Sequence, residues 1–288
     1  LFADPLFCTA HAGKAMDRPK PARALYGTPS KIGGCRGQHL LAQNPMSYLT
    51  FLLLWVVAPT CFLLLYLKAR AHLKPQSMLL QWHWVGSAIL ALIAFFWTTP
   101  WDNYIVARGI WSYGAERVIG VMGYVPLEEY LFFILMPLFN STLFATLFLR
   151  GLKVESTWRE RQIGSRAIVL VAGILVMLLA ASLLKQERFG YLSFTLLWFV
   201  PPLMLQWFFD PRVLQQKLGL ILAATLLPTL YFSIADAFAI ADGIWSINPV
   251  TRTGWEMGHL PFEETFFFFI TSLLLAQGLV LWHSLRRV

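Results

Sequence analysis

Two pairs of adjacent glutamates open two apolar, aromatic runs in this chain. The first run is Pro126-Leu127-Glu128-Glu129-Tyr130-Leu131-Phe132-Phe133, and the second is Pro261-Phe262-Glu263-Glu264-Thr265-Phe266-Phe267-Phe268. Acidic groups beside hydrocarbon are costly, so they read by default as a working site. A carboxyl can donate a proton and a carboxylate can accept one, which makes the accessible chemistry acid–base catalysis in a dry place. Asp102 and Asp236 extend the set, each at the far end of an apolar span on the same side as the pairs. Crowded carboxyls in low dielectric hold their protons more tightly, and a carboxyl still protonated near neutral pH is what a general acid requires. The competing reading for both aspartates is that they end a span in interfacial water.

The two runs belong to a repeat. Pro126 and Pro261 are 135 residues apart, while Gly109-Ile110-Trp111-Ser112 recurs as Gly243-Ile244-Trp245-Ser246, and Asp102 as Asp236, at a spacing of 134. The register holds over roughly 30 residues, the length of a repeat unit. A single Pro-x-Glu-Glu is explained by capping, because proline suits the first helical turn and acidic groups there complement the helix dipole by about 0.3–1 kcal/mol. Two copies with the same Gly-x-x-Pro approach (Gly123, Gly258) ask for more than capping.

Adjacent helical residues point about 100° apart, so one glutamate of each pair faces inward more directly than its neighbour. Below Glu129 the face continues through Phe132, Phe133, Met136 and Asn140; below Glu264 it continues through Phe267, Phe268, Thr271 and Ser272. The stripe below Glu128 is purely apolar, and spacing alone does not choose between the two. Packing and lipid contact explain most of the phenylalanine run 266–269. A second reading has Phe132, Phe133, Phe266 and Phe267 walling a pocket for a long apolar ligand, where ring faces attract a cation by about 2 kcal/mol when desolvated. Trp111 and Trp245 are simplest as interfacial belt residues, yet each sits in the shared Gly-Ile-Trp-Ser turn and joins the candidate substrate-binding set. Arg108, Glu116, Arg117, Asp242, Arg252 and Glu256 read as loop charges, and His259 as an interfacial hydrogen-bonding residue.

These residues need elements to position them, and the composition says which. Hydrophobic residues are 57% of the chain and charged residues 13%, against about 45–50% and about 25% in soluble domains. The chain reads as all-α, a polytopic membrane bundle of about seven helices. Apolar length places the spans at 47–67, 84–104, 127–149, 167–184, 191–209, 218–240 and 262–283, the fifth weakened by Pro201-Pro202. Trp55…Pro59 matches Trp198…Pro202 in spacing, so the layout is two parallel three-helix repeats (46–150 and 191–288) around a linking helix (151–190). The loops after spans 1, 3 and 5 and the C-terminus hold 12 Lys and Arg, whereas those after spans 2, 4 and 6 hold 5. That bias puts the glutamate pairs on the face opposite the cytoplasm. Residues 1–45 are basic, rich in Gly and Pro, and unpatterned. They read as a disordered arm, with the expectation that the native chain starts at Met46 and that the arm is artefactual. Cys8, Cys35 and Cys61 fit neither a disulfide framework nor a zinc site, and Cys61 reads as a small core residue.

No dinucleotide fingerprint, P-loop, H-E-x-x-H or G-x-S-x-G is present, and the net charge of +8 comes without a nucleic-acid reader motif. The doubled Pro-x-Glu-Glu before an aromatic helix, with its upstream Asp and Gly, resembles the heterodimer-type lycopene cyclase family in its fused, two-half form, over about residues 46–288. The family's first glutamate falls on Glu128 and Glu263 and its second acidic position on Glu129 and Glu264. The resemblance implies lycopene or a related linear carotenoid as substrate, β-ionone rings in the product, a multi-pass place in the cell membrane among lipid, and other carotenoid-pathway enzymes as neighbours. It implies no metal and identifies no cofactor, while leaving room for a reduced flavin bound from outside. Cyclisation is redox-neutral: an acid protonates the terminal double bond, a second double bond captures the cation, and a base removes a proton. A proton-coupled transporter is the rival, since repeats and membrane carboxylates mark transporters too.

Overall fold

The computed structural model describes residues 45–71, 77–149 and 163–285. The arm at 1–44 and the centre of the 151–190 segment's approach, 150–162, lie outside the described residues, and with them most of the expectation about where the chain begins. Seven helices are long and apolar enough to cross a membrane. In hydrocarbon every backbone polar group must be satisfied within the segment, and a helix does this for an uninterrupted apolar run.

The chain enters α1 (Tyr48–Leu52), capped by Ser47, whose side chain accepts from the Thr50 N–H at 3.2 Å. One π-helical turn (Leu53–Val57) leads into α2 (Ala58–Ala71). α3 (Ser77–Ala107) returns across the bundle, and α4 (Leu127–Phe148) follows. Then come α5 (Ile163–Leu183), α6 (Gly190–Phe209), the short α7 (Pro211–Gln216), α8 (Leu218–Asp242) and α9 (Phe262–Ser284). The expected spans stand, with ends shifted by up to seven residues. α6 runs unbroken through Pro201 and Pro202. Each proline removes one backbone donor, and the neighbouring turns carry the helix past the gap.

The segments expected to be plain loops hold six short strands. β2 (Val121–Met122) pairs with β3 (Val125–Pro126), and β5 (Glu256–Met257) pairs with β6 (Leu260–Pro261), both antiparallel. Each hairpin turns on a glycine in the left-handed region, Gly123 at φ 69° and Gly258 at φ 65°. A two-residue turn of this kind needs positive φ at its first central position, which only glycine adopts freely. That is the physical content of the repeated Gly-x-x-Pro: a hairpin that delivers a proline to the start of α4 or α9. β1 (Trp111–Tyr113) and β4 (Trp245–Ile247) come from matching sequence positions and pair with each other, Ser112 opposite Ser246.

The core is aromatic and lies toward the end of the bundle that bears these strands. Trp101 stacks on Phe267 (ring centroids 5.4 Å apart), Phe232 on Phe268 (5.6 Å) and Phe139 on Tyr231 (4.9 Å). Edge-to-face and offset ring pairs contribute about 0.5–1.5 kcal/mol each beyond the area they bury. Cys61 departs from its expected place: it is exposed on the outer face of α2, because the apolar residues of that helix face lipid as well as the core.

Candidate functional site

All six acidic residues singled out from the sequence are buried: Asp102 and Glu128 at 0% exposure, Asp236 and Glu263 at 1%, Glu264 at 2% and Glu129 at 4%. The interfacial reading of Asp102 and Asp236 is thereby set aside, since the β1–β4 strands and their loops close over them.

Within each pair the two glutamates go different ways. Glu128 turns back to the loop, its Oε1 accepting the Ile119 N–H at 2.7 Å. Glu263 does the same in its own half, accepting the Thr253 N–H at 2.5 Å. Next to these bonds, the Leu127 N–H donates to the Gly120 carbonyl and the Phe262 N–H to the Trp255 carbonyl. The first glutamate therefore ties its loop to the start of its helix, pairing a loop N–H with a side chain on the first helical turn.

Glu129 and Glu264 turn inward and line one small cavity. The Tyr48 hydroxyl donates to Glu129 Oε2, and the Tyr113 hydroxyl donates to the same oxygen at 3.2 Å. Tyr113 stands on β1, where burial, followed by the charges of Asp102 and Glu129, pushes its hydroxyl well above the usual tyrosine range. It therefore remains a donor. Glu264 Oε1 accepts from the Trp111 indole N–H at 3.1 Å, a bond that crosses from the first half of the chain to the second. Asp236 Oδ1 accepts from the Trp245 indole at 2.8 Å. Both tryptophans, expected first as belt residues, thus hold carboxylates at the cavity wall. Asp102 stands behind Glu129, close enough to feel its charge, and neither of its oxygens has a hydrogen-bond partner among the described residues. Glu264 feels both Asp236 and Glu129.

The rest of the wall is aromatic and apolar: Phe51, Phe132, Phe232, Phe267 and Phe268 complete it with Ala235. Of the candidate substrate-binding rings, Phe132, Phe267, Trp111 and Trp245 line this cavity. Phe133 lines a neighbouring groove instead. Phe266 lies half-buried outside both, stacked on Phe262 at 6.0 Å, because its position on α9 points away from the cavity side shared by Glu264, Phe267 and Phe268. His259 is exposed.

Sequence reasoning missed the tyrosines. Tyr48 and Tyr191 are 143 residues apart, the same spacing as Trp55 and Trp198. Extending that register back by seven residues finds both. Tyr191 lies beside Glu264 as Tyr48 does beside Glu129, although its hydroxyl makes no well-aligned hydrogen bond among the described residues. Tyr113 had no such signal, since its counterpart is Ile247.

Among the described residues, four of these loop charges form two ion pairs. Arg117 bonds Asp242 at 2.8 Å and the Met46 carbonyl at 2.8 Å, while Arg252 bonds Glu256 at 2.8 Å. The Tyr48 N–H also donates to the Arg117 carbonyl at 2.8 Å. Arg117 thus anchors the start of α1 and with it the ring of Tyr48.

The lycopene cyclase family model matches residues 45–147 and 188–281. This chain belongs to the lycopene cyclase family. It is 38% identical over 237 residues to a lycopene beta-cyclase of Halobacterium salinarum, covering 82% of this chain and 95% of that protein. It is 33% identical over 243 residues to a bifunctional lycopene cyclase/phytoene synthase of Sporisorium reilianum, covering 81% of this chain and 34% of the longer fungal protein. No solved structure matches. The matched segments contain every carboxylate and ring of the cavity, and the family membership does not favour the transporter reading.

Proposed function

We propose that this protein is a lycopene beta-cyclase that closes the linear ends of lycopene into β-ionone rings, giving β-carotene by a redox-neutral isomerisation. The observation that carries the reading, beside the family, is that Glu129 and Glu264, one from each half, line the same apolar cavity. The free space between them is about 30 Å³, so the rings of the wall must part to admit one end group of a polyene.

In the mechanism we propose, Glu264 delivers a proton to the terminal double bond of the end group. The neighbouring double bond attacks the resulting cation and closes the six-membered ring, which moves the positive charge onto a ring carbon. Glu129 then removes a proton from the adjacent carbon, and the ring double bond forms. One proton enters and one leaves, so atoms and charge balance. The assignment of roles rests on the donors: two well-aligned hydroxyls aimed at Glu129 stabilise negative charge there, the state a base needs, whereas Glu264 has one well-aligned donor, the Trp111 indole, with the Tyr191 hydroxyl beside it but off the hydrogen-bond axis. General acid–base assistance is worth about 10²–10⁴-fold. The faces of Phe132, Phe232, Phe267, Phe268 and Trp245 supply cation stabilisation in a water-excluded site, where electrostatic effects are larger than in water. Asp102 behind Glu129, and Asp236 in the cavity wall near Glu264, act as proton-sharing neighbours. Glu128 and Glu263 act through the loops they pin.

The protein works as a multi-pass component of the cell membrane, where its apolar substrate dissolves in lipid beside other carotenoid-pathway enzymes. Expression in a lycopene-accumulating bacterium tests the reading. β-Carotene should replace lycopene, and isolated membranes given preformed, unlabelled lycopene in D₂O should yield carotenoid carrying one solvent-derived deuterium per ring. Unchanged lycopene at good protein levels overturns it.

A further inference from the structure

The cavity between Glu129 and Glu264 is far too small for a whole polyene, so the rest of the substrate must lie somewhere during reaction. A second space of about 330 Å³ adjoins the first, and Phe132 and Phe267 line both. It runs between α3, α4, α6 and α9. Its stretch of α3 from Leu90 to Thr98 corresponds to about 12 Å along the helix axis. Its inner wall is buried, with Phe133 at 5% and Phe267 at 4% exposure. Its rim is open: Ile93 on α3 is 56% exposed and Leu205 on the facing α6 is 69% exposed, in segments that cross the membrane. Two polar side chains in the lining turn their donors onto backbone, Thr271 to the Phe267 carbonyl at 2.7 Å and Gln206 to the Leu274 carbonyl at 2.9 Å. Pro137, Pro201 and Pro202 form part of the wall. Proline has almost no side-chain freedom to lose, so a ligand packing against it incurs little ordering cost.

We propose that this groove is the berth of the substrate's conjugated chain and its lateral entrance from lipid. The inference rests on the cyclase reading and adds to it where the polyene lies and how it arrives. One end group reaches Glu129 and Glu264 past Phe132 and Phe267, the adjoining polyene lies along Ala94, Met136 and Leu274, and the remainder extends between α3 and α6 into the membrane. A linear, rigid, apolar chain fits such a slot, while a compact or polar solute does not. Each catalytic event then treats one end, and the molecule must leave and re-enter reversed for the second ring. Trp97 lines the groove, and its carbonyl accepts the Trp198 indole N–H at 3.0 Å, a bond that ties α3 to α6.

The test reads binding separately from turnover. A Glu129→Gln/Glu264→Gln double variant of the full chain, purified with lycopene, reports pigment retained per protein after size exclusion. Adding Ala94→Trp, which fills the groove, or Leu205→Trp, which narrows its rim, should lower retention about tenfold. Adding Leu92→Trp, on the lipid-facing side of α3, should leave it unchanged. In the otherwise intact chain the same groove variants should slow ring formation and raise the ratio of one-ringed to two-ringed product, since every ring requires an entry. If Ala94→Trp fails to elute as a monodisperse species, Leu205→Trp at the exposed rim decides. Full retention by a folded groove variant overturns the berth. A wild-type chain that retains lycopene in the groove yet forms no ring overturns the cyclase reading and leaves the berth standing.

Discussion

The two carboxylate centres are built from nearly the same letters and are wired differently. Glu129 receives two hydroxyl hydrogens, from Tyr48 and Tyr113. Glu264 receives an indole hydrogen from Trp111, which belongs to the other half of the chain. The equivalent indole, Trp245, bonds Asp236 within its own half. Part of the divergence traces to one position: 113 is Tyr where its counterpart 247 is Ile. A repeat that placed identical groups on both sides would offer two equal acids. Changing the donors around one of them lets a single cavity hold a proton source and a proton sink, the two functions an acid–base isomerisation needs.

The strongest way to break this comparison is to remove one titrating group at a time. Glu129→Gln and Glu264→Gln keep shape and oxygen acceptors but lose the transferable proton. Each should lower ring formation by about 10²–10⁴-fold at equal protein level, measured as β-carotene produced from lycopene. Full activity in either variant would show that one half suffices and would falsify the division of labour. A pre-formed monoprotonated substrate analogue sharpens the point: the Glu264 variant should bind it normally, because Glu264 acts before the cation forms.

The donors come next in size. Tyr113→Phe deletes one hydroxyl from Glu129 and leaves the ring in the wall. A hydrogen bond to a charged group is worth about 1.5–3 kcal/mol, so the rate should drop by about tenfold or somewhat more. Trp111→Phe should act on the other centre. If Glu129 is the base and Glu264 the acid, only one of the two substitutions alters the rate difference between H₂O and D₂O, and that one is Trp111→Phe. Equal solvent isotope effects in both variants would remove the basis for assigning roles.

Much of this arrangement was legible in the letters, and what was not has identifiable causes. Long apolar runs bounded by charged loops fixed the seven crossings, because hydrocarbon tolerates few other backbone states. Pro201-Pro202 misled only about the strength of α6, since a helix inside a packed bundle can do without two donors. The doubled Glu-Glu marked the site, but not which glutamate enters it. That choice depends on the hairpins, whose strands are two residues long and carry no alternating pattern to read. Their glycines were visible in Gly123 and Gly258, yet the positive φ became meaningful only once the turn was seen. Tyr48 was within reach of the spacing that links Trp55 to Trp198. Tyr113 lacks a counterpart, and no repeat argument could have found it. Phe266 failed as a pocket residue for a simple reason: in a run of four phenylalanines every face of the helix is aromatic, and composition does not say which face is inside.

The contrast between the first and second glutamate of each pair yields a smaller effect and a different readout. Glu128→Gln and Glu263→Gln keep an oxygen for the Ile119 and Thr253 amides, so activity should stay within a few-fold of the parent. Glu128→Ala and Glu263→Ala remove the acceptor from those part-buried loop donors, at about 0.5–1.5 kcal/mol each. The alanine variants should therefore unfold at lower temperature, while chains that remain folded still form rings. Should the glutamine variants lose activity as fully as Glu129→Gln does, the first glutamates would belong to the proton path and not to the loops.

The smallest effect tests the contact where the two halves meet. Ser112 and Ser246 occupy equivalent positions and join through their hydroxyls at 2.9 Å. The same strands carry Trp111, Tyr113 and Trp245 over the cavity. Removing either hydroxyl as Ser→Ala should cost about 0.5–1 kcal/mol of stability, because the bond is partly open to solvent. In a double-mutant cycle the second replacement should cost almost nothing once the first is made, as a direct pair requires. Additive losses would mean that each serine is held by its own half, and that the strands align for reasons other than this bond. Coupled losses with a parallel fall in ring formation would tie the positioning of three donors to one contact across the repeat.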